Sequence, residues 1–265
     1  MEQKKAKIAE LRPIDDIFFE ALASKKEVCQ EILRTILQDK KLVVLESSVQ
    51  RDLKNLYGRS VRLDALCTLG DGKKVNIEVQ RSNSDDHFRR VRFNESSITV
   101  IDSQAGGKFK EVEDLIIVFI SEKDFIGEGR TIYHVNKVIR ETGTAVDDGL
   151  QEIYVNAAID DGTDIAELMS CFLRKEVNNP KFPELSQQIN LIKHSEGGSL
   201  EVCDIMEELL EEARKETRQE AIKEGEQKGV LKTLIGLVND KLLSLEDAAA
   251  RANIPVEEFA ALLNS

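Results

Sequence analysis

The stretch SVRLDALCTLGDGKKVNIEVQ, residues 60–80, decides the fold of this chain. Residues 61–69 and residues 73–80 each alternate apolar with polar side chains, which is typical of β-strands that bury one face. The Gly-Asp-Gly tripeptide between the two runs favours a tight turn. The sequence therefore predicts a β-hairpin.

The register of this hairpin depends on the length of its turn. If the loop has three residues with Gly72 in the left-handed conformation, Leu69 pairs with Lys73 and Asp64 stands directly opposite Glu78. The two carboxylates then share one face of the hairpin. A two-residue loop would slip the register by one residue and separate them. On spacing alone, such a pair most often belongs to a solvated strand face.

A pair of carboxylates on one face is also what metal-assisted hydrolysis of a phosphodiester needs. A hard divalent ion activates water and neutralises charge on the phosphate, and it prefers carboxylate oxygens. Gln80 lies on the same face, two residues beyond Glu78. The side chain of Val79 points to the core, so Val79 offers only its backbone carbonyl.

The rest of the chain up to residue 180 predicts an α/β domain. Apolar residues at helical spacing in residues 15–37 predict two helices, broken near Ser24. A charged helix is expected over residues 85–104, and a further helix over residues 163–169. Strands are expected in KLVVLESSVQ, EDLIIVFISEKDF and GLQEIYVNAA. The predicted fold class is a mixed sheet flanked by helices.

Composition changes after Pro180 and predicts a helical extension at the C-terminus. The chain is expected to divide into an α/β domain over residues 1–180, a linker and charged helix over residues 181–229, and a small helical module over residues 230–265. In this module Ser244 is expected to cap a helix.

Charge is unevenly distributed along the chain. The net charge is −12, which argues against a protein whose whole surface is basic and binds nucleic acid. Residues 195–265 carry 16 Asp/Glu against 8 Lys/Arg, whereas residues 51–100 carry 10 Lys/Arg against 7 Asp/Glu. The acidic surplus therefore lies mostly outside the stretch that holds the carboxylate pair.

The sequence also indicates the compartment. No apolar run approaches the roughly 20 residues of a membrane helix, and the first residues lack the features of a secretory signal. The four cysteines and three histidines are scattered, without the spacing of a zinc site or a Cys/His nucleophile pair. We expect a cytoplasmic protein that has no membrane partner.

At this point the residues match a known family. RLDALCTLGDGKKVNIEVQ resembles the PD-(D/E)xK nuclease motif, and more narrowly that of the Rpn family of recombination-promoting nucleases, often labelled transposases. LRPIDDIFFEAL is similar to that family's first helix, and FRRVRFN to its basic and aromatic helix after the site. The charged tail ending in LEDAAARANIPVEEF is similar to its C-terminus.

The resemblance implies a restriction-endonuclease-like fold over residues 1–180. It implies that Asp64 and Glu78 bind a divalent metal ion, with the backbone carbonyl of Val79 beside them. The ion is Mg²⁺ or another hard cation such as Mn²⁺ or Ca²⁺. Gln80 stands where many relatives have Lys, and its amide can orient a water molecule but adds no positive charge.

Two further pairs of candidate residues lie in the first helix and in the helix after the site, and one residue of each pair matches the family. Asp16 matches an Asp of the family's first helix, and Glu20 lies one helical turn on; one of them is expected to support the metal through water. Arg90 matches the family's Arg, and Arg89 precedes it; both are expected to contact DNA phosphates.

The expected function is that of a metal-dependent DNA endonuclease of low sequence selectivity, linked to DNA recombination or mobile elements. The alternative is a catalytically idle nuclease fold that binds DNA or protein. A literal transposase is disfavoured, because its common chemistry needs three carboxylates on an RNase H-like fold. The final helix VEEFAALLNS has two Glu and no Lys or Arg, which disfavours groove reading. We expect the C-terminal helices to form a homodimer instead.

Overall fold

The computed structural model describes residues 2–53, 61–81, 86–103, 106–195, 229, 233–239, 242–252, 256 and 259–260. The described helices are α1 (Glu2–Glu10), α2 (Asp16–Ala23), α3 (Lys26–Ile36), α4 (His87–Asp102), α5 (Asp164–Phe172), α6 (Pro183–His194) and α7 (Leu245–Ala252). The described strands are β1 (Val44–Leu53), β2 (Val61–Leu69), β3 (Lys74–Gln80), β4 (Leu115–Ser121), β5 (Ile132–Val135), β6 (Val138–Ile139), β7 (Thr144–Ala145) and β8 (Leu150–Asn156).

Six of these strands form one mixed sheet, in the order β1-β2-β3-β4-β8-β5. β3 runs parallel to β4 and β4 parallel to β8, whereas the other neighbours in the sheet are antiparallel. The central strand β4 is buried along its whole length, as its run of apolar residues predicts. The predicted mixed sheet flanked by helices is confirmed.

The hairpin formed by β2 and β3 has the predicted three-residue turn. The backbone N–H of Leu69 donates to the carbonyl of Lys73 at 2.8 Å, and Ala65 lies opposite Ile77. Gly72 has a φ of 91°, a left-handed conformation that favours glycine. The predicted register is therefore confirmed.

Each face of the sheet is covered by helices. Apolar side chains of α2, α3, α5 and α6 pack on one face with Ala65, Val79 and Ile120. Helix α4 covers the other face, where Val91 and Ile98 join a cluster with Phe119 and Tyr154. The space between α4 and the sheet is where the candidate site lies.

Helix α6 packs into this domain although it follows residue 180. It begins at Pro183, which suits the first turn of a helix, and Leu185, Ile189 and Ile192 are buried in the core at helical spacing. The compact unit that contains the sheet spans Met1–Met206, and a second spans Glu207–Ser265. The division of the chain into domains at residues 180 and 230 stays a prediction.

The second unit has a small core of its own. Leu234, Ala248, Ala249 and Phe259 are buried together. The hydroxyl of Ser244 accepts the backbone N–H of Asp247 at 3.1 Å, as expected for its cap. The charged helix predicted before this module lies almost wholly outside the described residues. Within the described residues no helix is long and apolar enough to cross a membrane.

Candidate active site

Asp64 and Glu78 lie where β2 and β3 part. Ala65 and Ile77 are the last directly paired residues of the two strands. One step further, the backbone N–H of Val79 donates to the Asp64 carboxylate at 2.8 Å, and the backbone N–H of Asp64 donates to the Glu78 carboxylate. At this end of the hairpin, side-chain oxygens thus accept hydrogen bonds in place of backbone carbonyls. The backbone of each strand therefore fixes a carboxylate carried by the other.

Glu78 is a buried acid with only partial compensation for its charge. Its side chain is 4% exposed, and burial raises its pKa to about 7. The amide of Asn76 donates to Glu78 Oε1 at 2.9 Å, and the positive charge of Arg90 acts in the same direction by lowering the pKa. These contacts offset the cost of desolvation in part.

Asp64 has an even less favourable setting for a negative charge. Burial is the main cause of a pKa well above the ordinary value for Asp, and the charge of Glu78 raises it further. The charges of Asp16 and Glu20 add to this effect, while the hydrogen bond from Val79 opposes it. Four acidic residues therefore influence one another here.

Helix α2 brings two further acids, Asp16 and Glu20, near the pair. Glu20 is 3% exposed, whereas Asp16 opens the helix and keeps contact with solvent. The surrounding protein still raises the pKa of Asp16 by desolvation, and the charges of Arg90 and Arg81 lower it. The support of a metal ion by either acid stays a prediction.

Gln80 and Val79 end strand β3 as the alternation predicts. The side chain of Val79 is buried in the core on the helix-rich face. Gln80 is half-buried next to Ser121 of β4, and its carbonyl accepts the backbone N–H of Glu122 at 2.9 Å. Because side chains alternate along a strand, Gln80 lies on the same side as Glu78. The roles of the Gln80 amide and the Val79 carbonyl stay predictions.

An arginine-rich pocket opens beside Glu78. Its volume is about 490 Å³, and its walls come from β2, β3 and α4. Helix α4 contributes Arg89, Arg90 and Arg92, and β2 contributes Arg62. The two arginines expected to contact phosphate thus line the same pocket as Glu78. Three of these basic residues extend from one helix, which is anchored by the Asp86 carboxylate that accepts the N–H of Arg89 at 3.1 Å.

An ion-pair network that the sequence did not predict lies at the edge of the site. Arg81 Nη1 lies 2.7 Å from Asp15 Oδ1, and Arg12 Nη1 lies 2.8 Å from Glu122 Oε1. Arg81 Nε also donates to Glu122 at 3.4 Å. The network ties the start of α2 to the ends of β3 and β4.

The sequence contained a signal for two other residues that were not predicted. Asn76 is polar and falls two residues before Glu78 in the strand alternation, which places both on one face. Arg62 bears the same relation to Asp64 in β2. Neither stands out by composition, because isolated polar residues are common in strands of a half-exposed sheet.

The donor set fits a hard divalent ion. No group of three or more His, Cys, Asp and Glu side chains within the described part of the chain is arranged to hold a metal. The expected site is smaller, because Mg²⁺ takes one or two carboxylates and keeps several waters. The raised pKa values of Asp64 and Glu78 show that the pair lacks positive charge when ionised, which a cation supplies.

Comparison with known proteins identifies a family. The family model described as PD-(D/E)XK nuclease family transposase matches residues 14–161, more than half of the 265-residue chain. The matched stretch contains every residue assigned above to the site. No curated protein and no solved structure matches the chain significantly.

Proposed function

The chain belongs to the PD-(D/E)XK nuclease family transposases, and on that premise we propose that it is a metal-dependent endonuclease that hydrolyses DNA with low sequence selectivity. The observation that carries the proposal is the interlocked pair of Asp64 and Glu78. Each of these two desolvated carboxylates is held by the backbone of the strand that carries the other. Such a pair does little to stabilise a fold, because the two negative charges repel each other. Such a pair is well suited to a cation.

We assign the ion to Mg²⁺, with Mn²⁺ or Ca²⁺ as substitutes, bound by Asp64, Glu78 and the carbonyl of Val79. When bound, such an ion lowers the pKa of a coordinated water and neutralises charge on the phosphate. Asp16 or Glu20 supports it through water. The hydrogen bonds from Val79 and Asn76 keep the two carboxylates in place.

The remaining residues act on the water and the DNA. The amide of Gln80 orients the attacking water without adding charge. Arg90 already acts electrostatically on Glu78 and Asp16, and in the complex we assign its guanidinium to a phosphate oxygen. Arg89, whose side chain is 78% exposed, reaches a neighbouring phosphate.

The biological setting is part of the proposal. The family description names transposases, which supports a role in DNA recombination or in mobile elements. A cytoplasmic location is consistent with Cys29, Cys67 and Cys171, which are free and buried.

One observation favours a second candidate, a nuclease fold that binds DNA without cutting it. Gln80 supplies no positive charge at the position where many similar nucleases have Lys. The same experiment separates the two candidates.

The experiment is cleavage of supercoiled plasmid by the full chain with Mg²⁺ or with EDTA. Asp64→Asn and Glu78→Gln keep the size of each side chain and remove its charge. We expect each to lower the Mg²⁺-dependent rate by at least about 100-fold, beyond the effect typical of residues that only orient ligands. Asp147→Asn, on an exposed Asp far along the chain from the site, is the matched control.

Cleavage by the native chain that both variants retain would overturn the assignment of the site. If the native chain binds DNA and leaves it intact with every divalent ion, the second candidate is correct.

A further inference from the structure

The pocket beside Glu78 has walls that differ in chemistry. Arg62 projects from β2 on one side, and Arg89, Arg90 and Arg92 come from α4 on the other. Glu78 and Asp86 are the acidic residues among those described around it. Positive charge is therefore in excess, and a ligand carrying phosphate is favoured.

Phe93 gives the same pocket an aromatic wall. It follows Arg89 by four residues, so the two side chains lie one above the other on α4. Phe93 is 38% exposed even though the apolar face of α4 packs against the sheet. Aromatic side chains exposed in a basic groove are typical stacking platforms for unpaired bases.

The size of the pocket limits what can enter. A volume of about 490 Å³ lies within the range of ~300–1,000 Å³ found for pockets that enclose small molecules. A double helix is far too wide for such a recess, and its paired bases present no free ring face to Phe93. A single nucleotide with its phosphate belongs to the class of small molecules that pockets of this volume enclose.

We propose that this pocket accepts a single unpaired nucleotide next to the scissile phosphate, so that the preferred substrate is single-stranded or locally unpaired DNA. The base stacks on Phe93, and Arg62 and Arg92 bind the phosphates on either side of it. This inference rests on the proposed nuclease function. It adds Arg62 and Phe93 to the residues that select the substrate.

The test is the affinity of the full chain for three fluorescent oligonucleotides, measured by anisotropy in EDTA at fixed salt. They share one sequence and are single-stranded, fully paired, or paired with a central bubble of unpaired bases. We expect the single strand and the bubble to bind about tenfold more tightly than the duplex, since stacking of one base has an effect of this size.

Three variants of pocket residues and two matched controls test the assignment of the pocket. Phe93→Ala should reduce affinity for the unpaired substrates about tenfold and leave duplex binding unchanged, whereas Phe93→Tyr should keep the preference. Arg62→Gln should weaken binding of the unpaired substrates. Phe109→Ala, on a ring that is 98% exposed outside this pocket, and Arg140→Gln, on an exposed Arg, should change neither affinity.

The outcomes distinguish this inference from the proposed function. Equal affinity for duplex and single strand, or a Phe93→Ala variant that weakens both equally, would overturn the pocket assignment even if the chain cleaves DNA. If the chain prefers unpaired DNA in a way that depends on Phe93 but does not cleave DNA when Mg²⁺ is added, the pocket assignment is supported and the proposed nuclease activity is contradicted.

Discussion

The burial of Glu78 places a carboxylate in the site but lowers the free energy of unfolding when that carboxylate is ionised. A glutamate in contact with water would ionise near 4.5, but burial raises the pKa of Glu78 to about 7. The folded chain therefore holds this proton more strongly than the unfolded chain does. The stability that this contributes is fully present below pH 4.5 and is lost as the pH rises through about 7.

Glu78→Gln should remove this pH dependence in the metal-free protein. Relative to the variant, the native chain should lose on the order of 3 kcal/mol of unfolding free energy between pH 4.5 and pH 7.5. Urea unfolding in EDTA at several pH values measures the difference, with the exposed Glu141→Gln as control. Parallel pH profiles for Glu78→Gln and the native chain would show that Glu78 is not desolvated in solution.

At the scale of an element, the turn of the β2–β3 hairpin determines which residues face each other in the site. Gly72 sets a three-residue loop, and the loop sets a register in which Asp64 and Glu78 are neighbours. A slip of one residue in the register would move every side chain of β3 to the opposite face of the sheet. The conformation of one glycine thus controls where the carboxylates meet.

Gly72→Ala should therefore destabilise the protein, by about 1 to 2 kcal/mol, because a Cβ is disfavoured at its φ of 91°. Gly70→Ala in the same loop is the control. Its Cβ would meet Val43 at 3.5 Å, which is an ordinary contact, and its φ is not in the left-handed region. Chemical denaturation of both variants measures the effect. A Gly72→Ala variant as stable as Gly70→Ala would contradict the role given to the turn.

At the scale of the whole molecule, the second compact unit is acidic and contains none of the basic residues assigned to DNA. Residues 207–265 carry 13 Asp/Glu against 8 Lys/Arg, whereas every basic residue assigned to DNA lies within residues 62–92. An acidic segment attached to a DNA-binding protein opposes association with phosphates. The same segment has its own small core around Leu234 and Phe259, while Leu242 is 73% exposed.

Deleting residues 207–265 should leave Mg²⁺-dependent cleavage in place and strengthen nonspecific DNA binding. The increase in affinity should shrink as salt is raised, because it is electrostatic. DNA titration of the full and the truncated chain at two salt concentrations measures this change. Unchanged or weaker binding by the truncated chain at low salt would contradict the assignment.

Light scattering of the same two proteins tests the dimer that we propose for the C-terminal helices. The full chain should have twice the mass of one chain, and the truncated chain should be a monomer. If the full and the truncated protein contain the same number of chains, the C-terminal helices do not form the dimer interface.

The sequence by itself determined the elements and their local geometry. The helices α2 to α5, the strands β1 to β4 and β8, and the register of the hairpin follow from side-chain periodicity and turn chemistry, which act over a few residues. The carboxylate pair was predictable for the same reason. A period of two and one glycine are enough to place Asp64 opposite Glu78.

Only the tertiary structure decided what surrounds this pair. Arg62 and Asn76 enter the site because β2, β3 and α4 meet there, and the network of Arg12, Asp15, Arg81 and Glu122 forms between segments distant in sequence. The short strand β5 and helix α6 likewise depend on the sheet against which they pack. Burial, and the pKa shifts that it causes, are properties of the assembled layers, so no local pattern of residues encodes them.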